Sequence, residues 1–90
     1  MTSQPLWIEE LKSERGLLAK ADRDIEQGWL RWRRQQQVVA RFRVCGRPSQ
    51  ASDQLLAVTS QILVEWEKHR GLIAQRIAYL EARLSVRESA

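Results

Sequence analysis

His69 is the only histidine in the chain and Cys45 the only cysteine, so these two are the first candidates for proton transfer or nucleophilic attack. A catalytic histidine needs a nucleophile beside it, or a carboxylate that orients its imidazole. Glu65 stands one helical turn away, but no serine or cysteine is placed near His69. It therefore reads as structural, a packed imidazole with one hydrogen bond. Cys45 precedes Gly46 at an expected helix C-terminus, where it lacks the positive helix N-terminus that would lower a thiol pKa, although Arg43 and Arg47 are close in sequence. It reads as a small, partly buried side chain. One histidine, one cysteine and scattered carboxylates give no convergent metal set. No Gly-rich phosphate loop or paired carboxylates accompany them. The expectation is a protein that is not an enzyme and carries no cofactor.

The remaining chemistry lies in a basic and aromatic cluster, Trp29, Leu30, Arg31, Trp32, Arg33 and Arg34. Between Gln27 and Ser52 stand Arg31, Arg33, Arg34, Arg41, Arg43 and Arg47 with no acidic residue, so the segment carries +6 of a net +4 and the rest of the chain −2. For nucleic acid, these arginines would neutralise phosphates and an exposed tryptophan would stack on a base. No helix-turn-helix spacing or zinc knuckle accompanies them. A second reading sets Trp29 and Leu30 at a membrane surface with the arginines above. The plainer reading is a solvated face whose arginine stems cover apolar surface.

Ninety residues make one domain, with 43% hydrophobic and 29% charged residues and only four Gly and two Pro. That balance points to helix rather than to disorder or a disulfide scaffold. No apolar run reaches eighteen residues, and the first residues lack a basic n-region and an apolar h-region, so no membrane span or signal peptide is expected. A lone cysteine suits a reducing cytoplasm.

The elements follow from periodicity. Ile25, Gly28, Trp32, Gln35, Val39 and Phe42 are spaced alternately by three and four, which puts them along one seam of an α-helix. Ala21, Leu18, Glu14, Leu11 and Trp7 continue the seam backwards. Gly16 interrupts it at a local cost of ~1 kcal/mol relative to Ala. The pattern predicts one long helix over about 4–44, capped by Thr2 or Ser3 with Pro5 in its first turn. Val44 to Gln50 carries the break. Gly46 suits the left-handed position past a helix end, Pro48 cannot continue the ladder, and Ser49 can cap a second helix over about 50–87. The turn, about 45–49, is short enough to make the helices antiparallel neighbours, an all-α, coiled-coil-like hairpin spanning 1–90.

The second helix offers three adjacent apolar columns: Thr59, Trp66, Ile73 and Leu80; Leu55, Ile62 and His69; Leu56, Leu63, Ile77 and Leu84. Matched outward from the turn, they set Phe42 opposite Leu55 and Leu56, Gln35 opposite Ile62 and Leu63, and Trp32 opposite Trp66. Gly28 then faces His69 and Arg70, and Ala21 meets Ile77. In this register Gly28 admits the ring of Trp66 or His69, and Gln35 fixes register through a hydrogen bond. One partner helix covers about half of so broad a stripe, and Trp29, Leu30, Val38 and Leu17 lie outside the first helix's seam. Apolar surface on this scale marks an interface. The expectation is a homodimeric four-helix bundle, or docking on another protein, with Trp29, Trp32 and Trp66 as anchors and Leu30, Leu63 and Ile77 around them.

Ala21, Asp22, Arg23, Ile25, Gly28, Gly46, Ser49, His69 and Arg70 together resemble a group of short, uncharacterised bacterial helical-hairpin proteins with an A-D-R-x-I-x-x-G helix, a Gly-containing turn with a Thr or Ser cap, and an H-R pair in the second helix. The likeness covers roughly residues 21 to 77. Trp32 stands where that group has an aliphatic residue, and Trp29 is an addition. The resemblance implies a helical hairpin and brings no activity. The sequence thus points to a non-enzymatic interaction or structural module, with a nucleic-acid accessory role through the arginines of segment 31–47 as the alternative.

Overall fold

The structure, a computed structural model, describes residues 4–89. Two helices, α1 (Gln4–Val44) and α2 (Gln50–Ser89), pack side by side and antiparallel, with no strand among the described residues. The proposed caps Thr2 and Ser3 lie outside the described residues. α1 runs unbroken through Gly16, where nothing approaches the position of a Cβ. The whole measures 69 × 18 × 14 Å.

The turn is built by Gly46. Its φ of 74° is left-handed, a region that costs an L-residue roughly 1–2 kcal/mol and glycine almost nothing. That reversal lets the Arg47 amide donate to the Phe42 carbonyl at 2.7 Å and the Gly46 amide to the Arg43 carbonyl at 3.1 Å, a Schellman closure of α1. Ser49 then starts α2. Its Oγ accepts from the Ser52 amide at 3.3 Å and its carbonyl accepts the first helical bond, from Asp53 at 3.1 Å. Arg43 Nη2 reaches Asp53 Oδ1 across the turn at 2.7 Å.

The register differs from the expected one by about one heptad. Gly28 lies against Leu63 rather than His69 and Arg70. Arg70 pairs instead with Asp22, and Trp32 Nε1 donates to the Leu56 carbonyl at 3.0 Å rather than opposing Trp66. A shift of seven residues presents the same apolar columns to the same seam, so periodicity cannot choose between the two registers. Local features choose. A Cβ on Gly28 would stand 2.3 Å from Leu63 Cδ2, so Leu63 occupies the space of the missing side chain. Gln35, expected to lock the register, is half-buried and makes no hydrogen bond among the described residues.

Leu11, Val39, Leu63, Ile73, Ile77 and Leu80 are buried. Four of them, Leu11, Ile73, Ile77 and Leu80, form one cluster with Leu18, Ala21 and Leu84 packed on it, so the core sits towards the end remote from the turn. Near the turn, Phe42 and Leu55 are exposed.

Candidate protein-interaction face

The two sides of the seam are chemically unlike. On one side, α1 contributes Arg15, Asp22, Trp29 and Arg43, spaced by heptads, and each meets α2 through a polar contact. Arg15 pairs with Glu81 at 3.4 Å, Asp22 with Arg70 at 2.5 Å and Arg43 with Asp53, while the Trp29 indole donates to Glu67 Oε1 at 3.1 Å. The hydrogen bond that Arg70 donates to Asp22, followed by the carboxylate's charge, raises the Arg70 pKa above its ordinary value. This side is polar and its groups are matched.

The other side is a trough. Leu17, Ala21 and Ile25 of α1 and Trp66, Leu72 and Ile73 of α2 line an open groove of about 480 Å3, with Glu14, Lys20, Asp24, His69 and Arg76 at its rim. A smaller depression of about 220 Å3 over Gly28, Ile62 and Leu63 continues it towards the turn, sharing Asp24 and Trp66. At the far end Arg76 bridges Glu10 and Glu14, and the Arg83 guanidinium stacks 4.2 Å from the Trp7 ring while donating to Tyr79 Oη at 2.6 Å. Leu72 is 63% exposed, Leu17 49%, and Ile62 and Trp66 46% each. Side chains of this size rarely stand so open together without a partner.

The expected interface residues divide. Trp66 lines the trough. Leu63 and Ile77 are inside the seam, 2% and 8% exposed, with Leu63 only at the floor of the smaller depression. Trp32 is half-buried between the helices through its bond to Leu56. Trp29 stacks edge-on against it with ring centres 5.6 Å apart, and belongs to the polar side with Glu67. Leu30 is exposed but lines neither depression. His69 is exposed at the trough's rim and makes no hydrogen bond among the described residues, which corrects its reading as a packed residue. Cys45 is exposed rather than partly buried.

No protein-family profile, curated protein or solved structure matches the chain.

The arginines do not share a face. Arg31, Arg33, Arg34, Arg41 and Arg47 are exposed without an ion pair among the described residues, and Arg43 is held by Asp53. Consecutive helical residues point about 100° apart, so Arg33 and Arg34 diverge and the charge forms a band around the turn end of α1. Leu72 and Val58 were absent from the three expected columns. The spacing of Leu55, Val58, Ile62, His69, Leu72 and Tyr79 could have found them, because it is a second helical stripe beside the seam. Among the described residues, no helix is long and apolar enough to cross a membrane.

Proposed function

We propose that the chain is a non-enzymatic protein-interaction module of the cytoplasm, and that it docks through the trough side centred on Trp66 and Leu72. The observation that carries this reading is the inequality of the two sides. One is closed by cross-helix polar contacts, while the other leaves large apolar side chains in water around an open groove. Burying such a side chain against a partner stabilises a complex by ~1.5–3 kcal/mol before the costs of association. A photo-crosslinking amino acid at Leu72, compared with one at exposed Gln36 on the polar side, tests it in the cells that make the protein. Crosslinks to protein from Leu72 and none from Gln36 are expected. Equal yields, or none, would reject the face.

The band of five arginines without an ion pair among the described residues supports a second reading, attraction of nucleic acid to the turn end. Binding of this kind has no base-reading element and weakens steeply with salt. Titration with duplex and single-stranded oligonucleotides should then give an affinity that falls across a salt series and does not depend on sequence. No binding at low salt removes this reading.

A further inference from the structure

We infer that the turn end of the hairpin docks on the surface of an anionic phospholipid bilayer, with Phe42, Val44 and Leu55 entering the interfacial layer and the arginines around them meeting lipid phosphates and carboxylates. This site is separate from the trough. It claims for lipid the arginines that nucleic acid would otherwise use.

The contact of Gly28 with Leu63 divides the rod into two electrically unlike parts. On the turn side, residues 28–64 hold six arginines, one aspartate and no other charged residue, so that part carries +5. The rest of the chain, with nine basic and ten acidic residues, carries −1. The one aspartate, Asp53, is taken by Arg43, and the other five arginines have no ion pair among the described residues. From Gly28 to Val44 is about 25 Å of helix, so the charge is gathered at one end of a rod 69 Å long. Such an end is drawn to the negative potential of an anionic leaflet, by about five-fold in affinity for each arginine near the surface.

The side chains that stand among these arginines decide for lipid. Every residue from 41 to 48 is exposed, so the tip projects. Val44 is 88% exposed, Leu55 56% and Phe42 45%. Val44 ends α1 and Gly46 then reverses the chain, so no further helical turn covers that valine. The tryptophans of this end are spent elsewhere. Trp29, which the sequence offered to a membrane surface, is tied to Glu67 on the polar side and set edge-on against Trp32, whose N–H goes to the Leu56 carbonyl; both are half-buried. Aliphatic side chains gain nothing from a phosphate backbone, whereas the interfacial layer of a bilayer takes apolar groups and arginines together.

Flotation of the full chain tests this, with vesicles of phosphatidylcholine holding about one third phosphatidylserine set against vesicles of phosphatidylcholine alone. Binding is expected to the anionic vesicles only, and should weaken as salt is raised. Val44→Ser with Leu55→Ser keeps the charge and should lower the affinity about ten-fold or more. Both positions are exposed, so circular dichroism should still show a folded hairpin. Arg41→Gln with Arg47→Gln should lower it about 25-fold, and Leu72→Gln in the trough should leave it unchanged. Absence of binding at low salt, equal binding to both vesicles, or loss of binding in Leu72→Gln overturns the inference. So does a double serine variant that binds as tightly as wild type; if it also binds oligonucleotides, the arginines belong to nucleic acid. The Leu72 photo-crosslink reads capture of protein at the trough, so the interaction reading stands or falls apart from these results.

Discussion

Three glycines inside the helices look alike in the sequence and differ in what surrounds them. A Cβ on Gly28 would meet Leu63 Cδ2 at 2.3 Å, whereas Gly16 and Gly71 have open space around that position. Leu63 is nearly inaccessible to water and cannot simply swing into it. Overpacking of this kind costs ~1–3 kcal/mol, against the ~1 kcal/mol that alanine gains over glycine in a helix interior. Urea unfolding should therefore show Gly28→Ala destabilised by up to ~2 kcal/mol and Gly28→Leu by more, while Gly16→Ala is stabilised by ~1 kcal/mol. A Gly28→Ala protein as stable as Gly16→Ala would place the close approach elsewhere. The same contrast separates two leucines. Leu63→Ala removes seam packing and should cost ~2–5 kcal/mol, but Leu72→Ala at an exposed position should stay within ~0.5 kcal/mol of wild type.

At the scale of the element, both helix ends at the turn depend on local chemistry more than on burial. Gly46→Ala forces a side chain into the left-handed region and should destabilise by ~1–2 kcal/mol. Ser49→Ala leaves the Ser52 amide without its acceptor and should cost ~1 kcal/mol. Thermal unfolding of the two variants and their double mutant checks both figures, and near-additivity is not expected because they share one turn. The helices, their reversal and the capping residue were legible in the sequence because each follows from nearest-neighbour preferences: the three-and-four spacing, the glycine conformation, the serine oxygen. The pairing of the helices was not. A heptad repeat returns the same columns after seven residues, and what breaks that degeneracy is a side chain meeting a gap, Leu63 over Gly28, and an indole reaching the Leu56 carbonyl. The breadth of α2's apolar stripe was legible too, but not which columns would be spent inside. Leu55, Ile62 and His69 turn out to face water.

The molecule as a whole is a thin rod, 69 Å long and 14 Å at its narrowest, with its core gathered towards one end. Two helices side by side bury a small share of their apolar surface, so association is expected to supply part of the stability. If a second copy covers the trough side, the melting temperature rises with protein concentration and the rise vanishes in Leu72→Glu. Calorimetry over a wide concentration range measures this directly; a constant midpoint in wild type would mean the hairpin stands alone.

Local order in this protein is a property of the sequence: two long helices, the place where the chain reverses, and the presence of more apolar surface than one helix pair consumes are written in spacing and in the conformational preferences of Gly46 and Ser49. The tertiary structure alone decided which heptad meets which, and thereby which side of the seam becomes polar and which stays apolar. The reason is geometric. Periodicity specifies the faces of a helix up to a sliding motion along its axis, and only side chains of different size and polarity, brought together across the seam, can stop the slide at one position.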